Sequence, residues 1–331
     1  MNKFFRMIMI SMLLQWSALA EPMSKPVFDT TGYLHKNPEN KSFFIPMQIL
    51  YQGMLLRQGP DIINTEFLTQ YAKKLPYSKI PYILDIECWN VRPNVSDMEA
   101  DANIDKLILV IKTLKEARPD LKFGYYGELP TRDYVSPKPA IGIKYQKWHN
   151  SNVRLKRLAE HVDVICPDLY THFDDVEGWK QYASAAVKEA RMYGKPIYPF
   201  IWMEFHDAHE ERKGKYIDAR FWEQQLLHLN KIADGIIIWG GRDVTVQPHT
   251  SKEWNEYDPW WITTKDFILH NQQSSAASAK EMAEKKSLVK PPVKASPLPK
   301  QKAIYMPASQ LITAPANNPK PQFKKIEIIK E

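Results

Sequence analysis

Cysteine is nearly absent: the 331 residues include only Cys88 and Cys166. Two cysteines make no disulfide scaffold, and a chain of this length can bury a core without one. On the strand assignments below, the two side chains face opposite ways on non-adjacent strands, too far apart to bond, so both are expected as free, buried thiols. Long apolar runs are also missing after the first twenty residues, which argues against a membrane-spanning helix there. No Gly-rich turn joins a strand to a helix, which disfavours a nucleotide-binding open sheet. His206-Asp207-Ala208-His209-Glu210 gathers metal-ligand types but lacks the His-Glu-x-x-His spacing, so neither a metal nor a cofactor is expected.

Net positive charge is missing from the region that must fold. Of the formal +7, Lys3 and Arg6 supply two charges, and residues 272–331, with eleven lysines against four glutamates, supply seven. Residues 21–271 are left at −2, so the basic balance describes a tail and implies no nucleic-acid surface.

The two ends of the chain read as segments apart from the fold. Residues 1–20 place Lys3 and Arg6 before an apolar stretch at 7–14, then Ala18-Leu19-Ala20 before Glu21. That is the three-part pattern of a cleaved signal peptide, so a mature chain starting near Glu21 is expected outside the cytoplasm, periplasmic or secreted. Residues 272–331 are dominated by Ala, Lys, Pro, Ser and Gln, with Pro291-Pro292, Pro297 and Pro299. A basic tail without regular structure is expected. Its charge suits contact with an anionic cell-envelope polymer, while its composition favours a solvated tail over that reading. Nothing in the sequence fixes an oligomeric state.

Between the ends, strand and helix patterns alternate. Strands are predicted at 43–51, 80–87, 122–127, 162–170, 197–202 and 235–239, and helices at 65–75, 96–118, 145–160, 175–193, 218–233 and 264–270. The clearest helix is 96–118: Ser96-x-x-Glu99 is a capping box, Ile104, Leu107, Ile108, Ile111 and Leu114 form one stripe, and Pro119 stops it. Alternation of this kind implies parallel pairing under a cover of helices. Residues 21–271 are therefore predicted as one TIM-like (β/α) barrel, irregular or with fewer than eight strands. A further strand is expected near 53–63, and a doubly wound open sheet is the alternative.

The chemistry concentrates where strands end. Tyr82-Ile83-Leu84-Asp85-Ile86-Glu87-Cys88-Trp89 puts Asp85 and Glu87 two residues apart, hence on one side of a strand at its C-terminal end, where barrel sites are built. Two neighbouring carboxylates repel, so one tends to keep a proton near neutral pH, as general acid catalysis on a glycosidic oxygen requires. A pair of strand-end acids can equally make structural hydrogen bonds, and the triplet alone favours that reading. Its company favours chemistry: Tyr125-Tyr126-Gly127-Glu128, Asp168-Leu169-Tyr170, Trp202-Met203-Glu204 and Trp239 close other strands. Aromatic faces stack on pyranose rings, and carboxylates accept from their hydroxyls. Tyr126, Asp168, Tyr170, Trp202, Glu204 and Trp239 are the expected substrate-binding residues. Trp254-x-x-Tyr257-x-Pro259-Trp260-Trp261 reads equally as a sugar platform or as a hydrophobic cover.

Ile83-Leu84-Asp85-Ile86-Glu87-Cys88-Trp89-Asn90-Val91-Arg92-Pro93 resembles the hyaluronidase family's strand, in which Asp-x-Glu is closely followed by Trp-Arg-Pro. Phe123 to Gly127, Pro167 to Tyr170 and Gly235 to Gly240 are similar to further stretches of that family, in the same order over residues 43–270, and a thinner similarity reaches chitinase-type barrels. Cys166 stands where the family has a tyrosine, its cysteine framework is missing, and Glu204 has no counterpart. The resemblance implies that Glu87 is the acid/base and that Asp85 orients the substrate's own N-acetyl group as nucleophile. It also implies that Trp239 floors the subsite of the cleaved sugar. The expectation is a hydrolase of a polysaccharide containing N-acetylhexosamine. A non-catalytic carbohydrate-binding barrel, and a retaining glycosidase using Asp168 or Glu204 as nucleophile, stay open as alternatives.

Overall fold

The computed structural model describes residues 25–37, 39, 43–134 and 142–288. The signal-like segment at 1–20 and the chain beyond 288 lie outside the described residues. The described residues up to Lys285 form one compact unit.

Eight short strands build the centre: β1 (Val27–Asp29), β2 (Ile45–Pro46), β3 (Ile49–Tyr51), β4 (Tyr82–Asp85), β5 (Phe123–Tyr126), β6 (Val164–Cys166), β7 (Phe200–Trp202) and β8 (Ile236–Trp239). Parallel pairing runs β2-β1-β8-β7 in one sheet and β3-β4-β5-β6 in the other. Two joints close the ring. β2 and β3 act as one interrupted strand: Met47 N–H donates to Asp29 C=O at 3.0 Å on one side, while Gln48 C=O accepts from Ile83 N–H at 3.0 Å on the other. Parallel bridges Ile165↔Ile197 and Asp168↔Phe200 join β6 to β7. With β2 and β3 taken together, seven parallel strands close an irregular α/β barrel among the described residues.

The barrel agrees with the sequence expectation, but its extra strand lies elsewhere. The expected strand within 53–63 is not there: α1 (Gln52–Leu55) opens that stretch and no strand follows in it. The seventh position is filled by β1, three residues behind Pro26 that are too short to show a period. Such strands are buried on both faces, which is why they read as continuous apolar runs and not as alternation. Ile83, Leu84, Phe123, Ile165, Ile201, Ile237 and Ile238 are fully buried.

The helices follow from their caps and stripes. Four N-caps are residues of the expected type: Asn64 before α2 (Thr65–Lys73), Ser96 before α3 (Asp97–Ala117), Asp175 before α6 (Val176–Ala190) and Asp218 before α7 (Ala219–Ile232). Each side chain accepts a backbone N–H from the first turn, satisfying a donor the helix cannot. α3 buries Ile104, Leu107, Ile111 and Leu114 completely, at about 1.5–3 kcal/mol for each such side chain, so its docking outweighs its modest intrinsic propensity. Between β5 and β6 the chain forms α4 (Gly142–Arg154) and α5 (Lys156–Ala159).

Two further expectations are corrected. The last helix, α8, spans Pro259–Leu288 and so continues well into the segment expected to lack regular structure. Residues 272–288 are rich in Ala, Lys, Glu and Gln, good helix formers, and the first proline comes only at Pro291. Cys166 is buried as expected, but Cys88 is exposed. β4 ends at Asp85, so Cys88 already lies in the loop at the barrel mouth, and strand alternation no longer places it. Trp254, Trp260 and Trp261 pack on one another and on Tyr33 and Phe44, the hydrophobic cover rather than a sugar platform.

Candidate active site

The C-terminal ends of the barrel strands converge on one cleft of about 560 Å³. β4 brings Asp85 and, just past the strand, Glu87; β5 brings Tyr126; β7 brings Phe200 and Trp202; β8 brings Trp239. The loop after β6 adds Tyr170 and His172, and loops elsewhere add Arg92, Arg132, Tyr134, His206, Asp207 and His249.

Asp85 and Glu87 differ sharply in surroundings. Asp85 sits opposite Tyr51 in the β3–β4 register and is largely withdrawn from water. Burial pushes its carboxyl up to about 7, with the charge of Glu87 adding to the rise and Arg132 opposing it. Glu87 has a side chain 47 % exposed and accepts a short hydrogen bond from Arg132 Nη2 through Oε2. In this arrangement burial holds the proton of Asp85 more tightly than usual, and Glu87 accepts a hydrogen bond from Arg132.

Arg132 also reaches behind the cleft. Its Nη1 donates to Asp168 Oδ2 at 3.2 Å, the Tyr134 hydroxyl donates to the same oxygen at 2.8 Å, and the Tyr170 amide donates to Oδ1 at 3.0 Å. Burial pushes the Asp168 carboxyl up, but Arg132 and these two donors outweigh it and hold the group below its ordinary value. Glu128 is a further buried acid of this cluster. Burial raises it to about 8, Arg132 and Arg92 oppose the rise, and Glu87 and Asp85 add to it.

The opposite wall is aromatic. Tyr170 stacks on Trp239 with ring centroids 5.7 Å apart, and Trp202 meets Trp239 edge-on at 4.9 Å. Tyr126 lies 5.8 Å from Tyr170. The Trp202 indole N–H is buried with no partner among the described residues, an expensive state for a donor unless a ligand oxygen or water meets it. His172 stacks on His206 at 4.1 Å, and burial, together with the charge of His206, lowers it to about 4. Among the described residues no group of three or more His, Cys, Asp or Glu could hold a metal ion.

Six of the eight expected residues thus meet in the cleft: Asp85, Glu87, Tyr126, Tyr170, Trp202 and Trp239. Two do not line it. Asp168 is wholly buried behind Arg132 and Tyr134, and Glu204, equally buried, pairs with Lys252 Nζ at 2.7 Å. Both are expected in the cleft from their place at strand ends, but the direction of a side chain follows the two-residue period only within a strand. β6 ends at Cys166 and β7 at Trp202, and past Trp202 the chain turns so that Glu204 bridges antiparallel to Tyr216. Sequence reasoning missed Arg132, Tyr134, His172, His206 and Asp207 as cleft residues, because they stand in loops where no period marks an orientation.

Among solved structures, the chain is similar to bee venom hyaluronidase, at 16% identity over 77% of this chain and 99% of that chain, with a TM-score of 0.51. It is similar as well to bee venom hyaluronidase in complex with a hyaluronic acid tetramer, at 17% identity over 78% of this chain and 99% of that one, with a TM-score of 0.50. The likeness is one of fold, and it covers nearly the whole of those chains. No protein-family model matches the sequence, and no curated protein matches it.

Proposed function

We propose that the chain is an exported glycosidase that hydrolyses a polysaccharide containing N-acetylhexosamine, with retention and with the substrate's N-acetyl group as nucleophile. The observation that carries this reading is the pair Asp85–Glu87 at the mouth of a barrel whose facing wall is Tyr170, Trp202 and Trp239. The N-acetyl carbonyl oxygen would attack the anomeric carbon as the glycosidic C–O bond breaks. Glu87, protonated at the expense of Asp85, would pass that proton to the leaving oxygen. Asp85, then ionised, would accept from the N-acetyl N–H and balance the positive charge that builds on it. Water would then open the cyclic intermediate, with Glu87 taking the proton back. The fold likeness to an enzyme named for hyaluronan supports the substrate class, and the N-terminal pattern supports export.

A protein nucleophile is less well supported. Asp168 is occupied by three donors away from the cleft surface, and Glu204 is not in the cleft. Asp207 does line it, but from a loop, paired with His206 at 2.8 Å. One observation favours the second reading, a barrel that binds glycans without turnover: Glu87 is tied to Arg132 as an acceptor.

Glu87→Gln separates these readings. The glycosidase reading expects a loss of about 10²–10⁴-fold on the N-acetylated polymer, with unchanged thermal stability because the side chain is exposed at the cleft. The wild type should also cut a de-N-acetylated polymer poorly. Full activity in Glu87→Gln sinks the acid/base assignment, efficient cleavage of the de-N-acetylated polymer points to a protein nucleophile, and glycan binding without turnover in the wild type supports the binding module.

A further inference from the structure

Arg132 links two carboxylates that belong to the ends of different strands. Its side chain is 14 % exposed, donates to Glu87 at the cleft surface and to Asp168 at 3.2 Å beneath it, and lies over the Tyr126 ring at 5.5 Å. Gly127, which follows β5, adopts φ +67°, a conformation that favours glycine, and so turns the chain beside Asp168 and Arg132. The backbone just before Arg132 is held as well: Thr131 N–H donates to the buried Asn152 Oδ1 at 3.0 Å, and Trp148 Nε1–H donates to Thr131 C=O at 2.8 Å. Asp168 in turn is fixed by Tyr134 and the Tyr170 amide.

We infer that Arg132 is a positioning residue, a rigid two-pronged link through which buried Asp168 fixes the rotamer of Glu87 for the proposed hydrolysis. A guanidinium suits this because its planar fork can engage two carboxylates at once, whereas an ammonium acts as a single point of charge. Glu87 is otherwise an exposed side chain with free rotamers, and a catalytic group misplaced by about 1 Å loses on the order of 10²-fold in rate. The link uses Glu87 Oε2, so the proton transferred in catalysis would sit on Oε1.

The inference rests on the glycosidase reading for its rate effects, so the test carries a readout that does not. Wild type, Arg132→Gln and Arg132→Lys are compared for kcat and KM across pH, for thermal unfolding, and for the carboxyl titration of Asp85 by infrared spectroscopy in the free protein. Arg132→Gln should lower kcat by about 10²-fold with KM little changed. It should also move the Asp85 titration, and with it the rising limb of kcat, upward by roughly one pH unit, because the cation that opposes that carboxyl's rise is gone. Arg132→Lys keeps the charge, so the titration should return to its wild-type position while kcat stays low. That split separates positioning from charge, and a fold defect would move neither pattern in this way. Should Arg132→Gln unfold, Arg132→Lys alone decides: wild-type kcat overturns the inference, and low kcat with an unmoved titration supports it. Unchanged kcat in Arg132→Gln overturns the positioning role and leaves the glycosidase reading standing. A wild type without turnover defeats the glycosidase reading, and with it a role in hydrolysis for Arg132. Even then, an Asp85 titration unmoved in Arg132→Gln would remove the electrostatic link as well.

Discussion

The indole N–H of Trp239, at the end of β8, donates to the hydroxyl of Tyr51, at the end of β3, at 3.3 Å. These residues lie 188 positions apart in the chain, and the bond sets the Trp239 face at the angle from which Tyr170 stacks on it. Arg242 covers the Tyr51 ring at 5.6 Å and completes the support. Because Tyr51 also pairs in register with Asp85, the Trp239 indole and the Asp85 carboxyl share one brace.

Tyr51→Phe removes the hydroxyl and nothing else. The expected stability loss is small, about 0.5–1.5 kcal/mol for one hydrogen bond, since both side chains are only partly buried. The expected effect on the polymer is a rise in KM of roughly 3–10-fold, equivalent to about 1 kcal/mol of binding, with kcat little changed. Steady-state kinetics alongside thermal melts check this. A variant with wild-type KM would show that Trp239 needs no brace.

Much of this arrangement was legible in the sequence, and the limit of legibility has a physical boundary. Within strands, Asp85, Tyr126, Trp202 and Trp239 are fixed by the period of two, and Glu87 and Tyr170 follow within a few residues of a strand end. The four capped helices α2, α3, α6 and α7 are legible to within about three residues, because caps such as Ser96 and Asp175 state where the backbone needs an acceptor, whereas α8, whose start no such cap marks, is far longer than its sequence pattern suggests. Past a strand end, the direction of a side chain is set by whichever distant partner claims it. Arg132 and Asp168 find each other across 36 positions, and Lys252 claims Glu204 across 48. No local pattern encodes those distances. β1 is missed for a related reason: three residues are too few to show a period, and its strand identity comes from pairing with β8, some 209 positions on.

Lys252→Met tests the reassignment of Glu204 from sugar ligand to buried ion-pair partner. Glu204 is wholly buried, and one of its oxygens, Oε1, has no partner among the described residues. Burial raises its carboxyl to about 7, with Lys252 opposing the rise. A raised carboxyl contributes stability that is full below its unfolded value and lost as pH rises through its folded value. Removing Lys252 lifts the folded value further, so the variant should match the wild type most closely near pH 5 and fall behind it by pH 8. The deficit there should be about 1.4 kcal/mol, the worth of the one pH unit between 7 and 8 over which only the wild type ionises. At a temperature where both are folded, turnover should be close to wild type because neither residue lines the cleft. An equal loss of stability at both pH values would contradict this account of the pair.

Glu128 offers a second pH-dependent test. It is buried beside the cleft, and burial first, then the charges of Glu87 and Asp85, raise it from 4.5 to about 8 against the pull of Arg132 and Arg92. The native state therefore keeps this proton across a range in which the unfolded chain has released it. Between about 4.5 and 8 the native state binds more protons, so this group's contribution to stability is fully present at the acid end and is lost as pH rises through about 8. Asp85 acts in the same direction up to about 7. His172, lowered to about 4, acts oppositely: its contribution is present above the ordinary histidine value and lost as pH falls towards 4. A wild-type profile mixes all three, so the informative quantity is the difference in Tm between Glu128→Gln and the wild type. The amide keeps the shape and carries no charge at any pH. That difference should be smallest near pH 5, where Glu128 is neutral anyway, and should grow in favour of the variant up to about pH 9. Each tenfold difference in proton affinity between folded and unfolded chain is worth about 1.4 kcal/mol. Each kcal/mol moves Tm by roughly 2–4 °C in a domain of this size, so a gain of several degrees is expected across that range. A difference that stays flat from pH 5 to pH 9 would mean that Glu128 ionises in the folded protein as it does in the unfolded chain, and that the cluster around Arg132 does not hold a buried proton there.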